Sequence, residues 1–136
     1  MRYTLHSSVE RILMRIAEVA QQFDITPDTL RYYERIGLLP RIKRTASGVR
    51  DYSEADCGRI EFIKCMRGAN VSIEALQEYM RLLDLGDTTI AERKAILEEQ
   101  RSIAQARIAE MQAGLDRLNH KIENYSNMLE AEKRFS

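Results

Sequence analysis

The chain has 136 residues, a formal net charge of zero and two cysteines. That length allows one modest core, or a small head joined to an extended element. Two cysteines are too few for a secreted disulfide scaffold, and no apolar run approaches the ~20 residues of a membrane span.

Residues 1–13, MRYTLHSSVERIL, lack the apolar centre of a signal peptide and read as an upstream extension before a start at Met14. A soluble, cytoplasmic protein is expected. From there apolar residues recur at Ile16, Val19, Ala20 and Phe23, which predicts a short amphipathic helix. Asp24 and Ile25 make a turn. Thr26 is placed as an N-cap, with Pro27 at the first helical position and Asp28 near the positive helix end. This second helix runs through Leu30 and Tyr33 to about Ile36, where Gly37 caps it and Pro40 prevents its resumption. Two short helices joined by a tight turn are a helix-turn-helix candidate. The second carries Arg31, Tyr32 and Tyr33 in a row. A planar guanidinium and phenol hydroxyls suit phosphate oxygens or a guanine edge, and a place early in the second helix suits a major groove. Tyr33, about 100° round the helix from Tyr32, is expected to pack inward.

Residues 41–52, RIKRTASGVRDY, change character. Arg41, Lys43, Arg44 and Arg50 fall within ten residues that hold no acid. Residues 14–67 carry ten Lys/Arg against eight Asp/Glu, and 68–136 carry nine against twelve. A local basic patch on a neutral chain is expected where one surface meets an anion. Ile42, Val49 and Tyr52 suit strands, and Thr45-Ala46-Ser47-Gly48 supplies a turn, so a small basic hairpin is predicted. Ser53, with Asp56 three residues on, starts a third helix that turns Ile60, Ile63 and Met66 inward and ends near Gly68. Ser72 starts a fourth, packing Ile73, Leu76, Met80 and Leu83 before Gly86. Cys57 and Cys65 share the third helix, about 12 Å apart along its axis, and cannot bridge to each other within it.

Thr89 and Glu92 predict a capping box, followed by roughly forty residues with no Pro and a single Gly, Gly114. Ile90, Leu97, Ala104, Met111, Leu118 and Tyr125 recur at sevens, and Lys94, Arg101, Ile108, Leu115, Ile122 and Leu129 form the row offset by four. Ten of these twelve positions are apolar, which predicts a coiled-coil seam of about 60 Å. So long a stripe needs more cover than a small head supplies, and a second chain is the simplest cover. The heptads alone leave parallel and antiparallel pairing open.

Four blocks stand in order: MRIAEVA (14–20), TPDTLRYYERIGLLP (26–40), GVRDYSEAD (48–56) and RIEFIKCMRGANVSIEAL (59–76). On these, residues 14–85 resemble the winged helix-turn-helix head of MerR-type transcriptional regulators. Residues 88–130 have the place and length of that family's dimerisation helix, which pairs antiparallel, and 131–136 form a short tail. The implied fold is mostly α: a winged helix-turn-helix head and a long coiled-coil helix. The resemblance places Thr26, Thr29, Arg31 and Tyr32 on the helix that meets DNA. It places Arg44, Arg50 and Tyr52 on the wing, which grips the backbone farther out. Arg35, Arg41 and Lys43 are either contacts or solvated charge. Ile108, Met111, Leu115, Leu118, Ile122 and Tyr125 are expected to form the seam of a homodimer. The implied partners are a pseudo-palindromic operator in duplex DNA, inside an overlong promoter spacer, and RNA polymerase at that promoter.

What such a regulator would sense is less legible. No cysteine follows Cys65, and His6 and His120 stand alone, so neither a metal site nor a cofactor is expected. The chain stops six residues after Glu130, and no large ligand-binding domain is expected beyond the helix. Cys65, in FIKCMR, SIEAL and the short tail resemble the aldehyde- and nitrogen-oxide-responsive branch of the family, in which a lone cysteine at this place is the proposed sensor. Lys64 and Arg67 flank it, cations that favour a thiolate beside them. The other reading is a packing residue, since cysteine is among the most buried side chains; Cys57 is read that way. No Cys-His pair, paired carboxylates or Gly-rich phosphate loop can be assembled, so an enzyme is not expected. A DNA-bending protein that senses nothing, or a coiled-coil adaptor whose head binds protein, are the rival readings.

Overall fold

A computed structural model describes residues 13–135. The stretch read as an upstream extension therefore falls, apart from Leu13, outside the described residues. Five α-helices follow one another: α1 (Ile16–Phe23), α2 (Pro27–Arg35), α3 (Glu54–Gly68), α4 (Ile73–Asp84) and α5 (Ile90–Phe135). The chain divides into two compact units between Ile96 and Leu97.

The first unit carries the core. Val19, Ala20 and Phe23 come from α1, Leu30 and Tyr33 from α2, and Leu38, Leu39 and Ile42 from the segment that follows. Tyr52, then Cys57, Ile60 and Ile63 of α3, Val71, and Leu76 and Met80 of α4 complete it. Helices α2, α3 and α4 each begin where a short polar side chain can satisfy amide groups that lack a helical partner. Thr26 accepts from the Thr29 amide, Ser53 from that of Asp56 and Ser72 from that of Ala75. Asp56 returns the bond to the Ser53 amide at 2.9 Å, closing a capping box.

The turn from α1 to α2 rests on Asp24, which takes the left-handed conformation at φ 53°. Its amide and that of Ile25 close back on α1 carbonyls, so the two helices meet within three residues. At the far end of α2, Gly37 at φ 84° lets the Leu38 and Leu39 amides reach the Tyr33 carbonyl at 2.9 and 3.1 Å. Both leucines then drop into the core.

Two expectations need correction. The basic hairpin is reduced to a single antiparallel bridge, Arg44 with Arg50, and no strand forms among the described residues. Its arms are only three residues long before the chain turns away, too few to extend a ladder. The start of α5 is also built differently. The chain enters it through a 3-10 turn, Asp87–Thr89. The Thr89 hydroxyl lies 2.7 Å from the Leu82 carbonyl and 2.8 Å from that of Gly86, and it accepts from Arg93 Nε at 3.1 Å. Thr89 therefore ties the end of α4 to the start of α5 instead of closing a box with Glu92.

Helix α5 runs unbroken through 46 residues, about 69 Å, and includes residues 131–135. None of its residues is buried. No helix of the described residues is long and apolar enough to cross a membrane.

Candidate nucleic-acid interface

The first turn of α2 is solvent-exposed and capped by its own side chains. Thr26 and Thr29 share a contact of 2.8 Å between hydroxyls, while Thr26 also caps the Thr29 amide at 3.1 Å. Arg31 follows, donating from Nη1 to Asp28 Oδ1 at 2.8 Å. Asp28 is almost fully exposed, so this i,i+3 pair is worth little and can exchange its carboxylate for another anion. Tyr32 lies on the outside with the Arg35 guanidinium 5.3 Å from its ring centre. Tyr33 points inward and is buried, as its helical offset predicts.

The wing places like charges face to face. The Thr45 amide bonds the Val49 carbonyl at 2.8 Å and the Asp51 amide bonds the Lys43 carbonyl at 2.7 Å. Arg44 and Arg50 sit between those bonds, in the antiparallel pairing that brings opposite side chains closest. Two like charges so placed are destabilising on their own. Each is steered away from the other: Arg44 Nη1 donates to the Gly48 carbonyl at 2.8 Å, and Arg50 Nε donates to Glu34 Oε1 at 2.9 Å. Gly48, at φ 87°, supplies the left-handed residue that the tight turn between the arms requires.

Between α2 and the wing opens a cleft of about 490 Å³ lined by Arg31, Glu34, Arg35, Arg41 and Arg50. Four guanidinium groups and one carboxylate give it a strong positive field. The structure thus gathers Arg31 and Arg50 with Arg35 and Arg41, which sequence left open between contact and solvated charge. It also adds Glu34, which sequence reasoning overlooked. The Glu34 carboxylate accepts from Arg50 through one oxygen and from the Ile42 amide through the other, at 3.2 Å. Nothing local in the sequence signals a contact eight and sixteen residues away.

Tyr52 departs from expectation. Its side chain is fully enclosed, so its ring is not available to a duplex in this conformation. The reason lies in the next helix: Tyr52 immediately precedes the N-cap Ser53, a position from which an apolar side chain packs against the fourth residue of the helix. That residue is Cys57, also fully buried. Burial pushes the Tyr52 phenol above the ordinary tyrosine range, with the Arg50 charge opposing it.

Neither cysteine is in a disulfide, and the two differ in access: Cys57 is buried and Cys65 exposed. On α3, Cys65 lies three residues from Phe62 and seven from Gly58, hence on the same helix face. Gly58 and Phe62 line a second hollow of about 440 Å³ with Ala55, Arg59, Tyr79, Met80 and Leu83. Phe62 and Tyr79 stack there with ring centres 4.8 Å apart. The two cations that flank Cys65 in sequence are engaged elsewhere. Lys64 Nζ donates to the Phe23 carbonyl, and Arg67 Nη1 donates to that of Val71 at 2.7 Å. Among the described residues no three His, Cys, Asp or Glu side chains converge as metal ligands.

Along α5, Ile108, Met111, Leu115, Leu118, Ile122 and Tyr125 are between 49% and 76% exposed in the single chain. Such a row of large apolar side chains is an uncovered face rather than a core.

Comparison with known proteins agrees with this geometry. The family profile for the MerR HTH family regulatory protein matches residues 14–83, and that for MerR, DNA binding matches residues 58–121. The chain is 59% identical over 88 residues to the HTH-type transcriptional regulator AdhR of Bacillus subtilis (strain 168), covering 65% of this chain and 63% of that protein. The chain therefore spans less than two thirds of that relative's length. It is 39% identical over 111 residues to the regulator ZntR of Escherichia coli (strain K12), with 79% of each chain covered. A MerR family transcriptional regulator from Listeria monocytogenes superposes with a TM-score of 0.78 at 41% identity, over 90% of this chain and 93% of the other. HiNmlR, a MerR family regulator lacking the sensor domain and solved bound to promoter DNA, gives 0.68 at 28% identity, over 85% and 92%. A helix-turn-helix, a basic wing and profile matches running from Met14 to Lys121 lead to one conclusion: the chain belongs to the MerR family of helix-turn-helix transcriptional regulators.

Proposed function

We propose that this chain is a homodimeric, DNA-binding regulator of transcription that distorts its promoter and is switched by a small electrophile at Cys65. The observation that carries DNA binding is the arginine-lined cleft between α2 and the wing. A fold keeps Arg44 opposite Arg50 at a cost in stability, and an anion lying across both would offset it. Phosphate oxygens supply that anion. Arg31, Tyr32 and the α2 N-terminus at Thr26 and Thr29 face the groove, while Arg44 and Arg50 hold the flanking backbone. Tyr52 keeps its place as an internal support of the wing. The promoter-bound HiNmlR, similar over most of this chain, supports the reading.

The uncovered apolar row of α5 supports pairing of two copies through Ile108, Met111, Leu115, Leu118, Ile122 and Tyr125. Paired antiparallel, two heads read a pseudo-palindrome. Bending and untwisting an overlong promoter spacer costs on the order of a few kcal/mol, repaid by the extra phosphate contacts that the bend permits. The distorted spacer presents both promoter elements to RNA polymerase.

Exposure favours a sensor over a packing role for Cys65. The thiol gives its proton to water and the thiolate adds to the carbonyl carbon of an aldehyde; the C=O π bond breaks as the C–S bond forms, and the oxygen takes a proton from water to give a hemithioacetal. The bulk added there sits beside the Phe62–Tyr79 hollow. The test is transcription from a bound promoter with and without formaldehyde, comparing wild type with Cys65→Ala. Induction that survives the substitution would remove the thiol from the mechanism. Binding that does not weaken steeply as salt rises would remove phosphate contact.

A further inference from the structure

We infer that Glu34 is a positioning residue for DNA recognition: its carboxylate fixes the wing to α2, so that Arg50 and Arg31 meet the duplex at one set spacing. This rests on the DNA-binding reading above and assigns a role to the one acid in the arginine cleft.

The geometry is that of a two-point clasp. One oxygen holds the Ile42 amide at the entry to the wing, and the other holds Arg50 Nε on its returning arm. Both arms of the wing are thereby tied to the last turn of α2, which ends at Arg35. The clasp is well shielded, with Glu34 at 13% and Arg50 at 23% side-chain exposure, so water competes weakly for it. By contrast the Arg31–Asp28 pair on the same helix leaves its acid 94% exposed. Glu34 takes only the Nε hydrogen of Arg50, and the two terminal nitrogens of that guanidinium stay available to an anion in the cleft.

This assignment separates from simple electrostatics. As a bare negative charge Glu34 repels DNA, and its removal should strengthen binding to every duplex alike. As a clasp, its removal should loosen the spacing of Arg31 and Arg50, which matters for a chosen site and little for random sequence. The probes are a duplex selected by the wild-type chain from a random pool, and a scrambled duplex of equal length and composition. Glu34→Gln keeps the volume but offers one carbonyl oxygen for two donors. We expect it to bind the selected duplex about tenfold more weakly while its affinity for the scrambled duplex is unchanged or higher. In an Arg50→Ala background it should cost clearly less than in the wild type, since one of the two points of the clasp acts through that side chain.

Equal strengthening on both duplexes, or losses that simply add in the double variant, would overturn the assignment. If Glu34→Gln lowers the helical circular dichroism of the head, Glu34→Asp answers the same question. It keeps the charge but is one methylene too short to hold both donors, and an unchanged ratio between the two duplexes would then sink the idea. Should the wild-type chain select no duplex at all, the DNA-binding reading itself fails; a wild type that selects while its variants show no coupling refutes only Glu34.

Discussion

Leu115→Glu tests the pairing of two copies most directly. Leu115 stands in the middle of the apolar row and keeps 49% of its surface exposed in the single chain. Full burial of a leucine is worth about 1.5–3 kcal/mol, so covering the remaining half contributes about 1 kcal/mol per chain. Placing a carboxylate among apolar neighbours costs a further ~1–3 kcal/mol, whether it stays charged or takes up a proton. Two-fold symmetry doubles both, giving about 4–8 kcal/mol per dimer and a dissociation constant raised at least about a thousandfold. Sedimentation equilibrium over a range of concentrations reads that change. Ala113→Glu, on the opposite side of the same helix turn, should leave the dimer as it was. Affinity for a selected duplex should fall with the dimer, because a lone head keeps only half the contacts. A Leu115→Glu protein that still dimerises as the wild type does, or a stable monomer that binds DNA with full strength, would refute the reasoning.

The remaining expectations concern the head. Arg31→Ala should weaken binding to a selected duplex by about 1–3 kcal/mol and leave sedimentation unchanged, as read by titration of a labelled duplex. Iodoacetamide on the native chain should add one label, at Cys65, with Cys57 labelled only after denaturation; mass spectrometry of the peptides distinguishes them. Burial raises both the Tyr33 and Tyr52 phenols above 10.0, so the folded chain holds those protons more tightly than the unfolded one. The stability this provides is complete below about pH 10 and is lost as pH rises through the folded values. Urea unfolding at stepped alkaline pH should show that loss, and Tyr33→Phe should make it shallower.

Much of the head could be read in advance because its signals are local. Thr26, Ser53 and Ser72 announce helix starts through side chains that reach only three residues ahead. The opposite fates of Tyr32 and Tyr33 follow from a 100° step. The candidate site was legible to the same depth: the arginines announce themselves by type and by a run without acids, and their gathering into one cleft needed the fold. Where partners are distant, the reading stopped. Glu34 reaches Arg50 across sixteen positions, and nothing near Glu34 hints at it. Tyr52 followed an alternation suited to a strand, whereas its place just before Ser53 decided its burial. Thr89 sat in a capping-box pattern, but its hydroxyl found carbonyls at the end of α4. Cys65 could be placed on α3 from sequence, while its access to solvent could not.

The short ladder of the wing has a consequence for its motion. Its base is held by Ile42 in the core and by the bond from Asp51 to Lys43, whereas the tip is held by the Thr45–Val49 and Gly48–Thr45 backbone bonds, by Arg44 on the Gly48 carbonyl and by hydroxyl contacts of Thr45. Those tip bonds all lie within residues 44–49, and opening them exposes little apolar surface, so hydrogen exchange at Gly48 and Val49 should outpace that at Ile42. A finger stiff at the knuckle and yielding at its end can adjust to an uneven partner surface while its root keeps register.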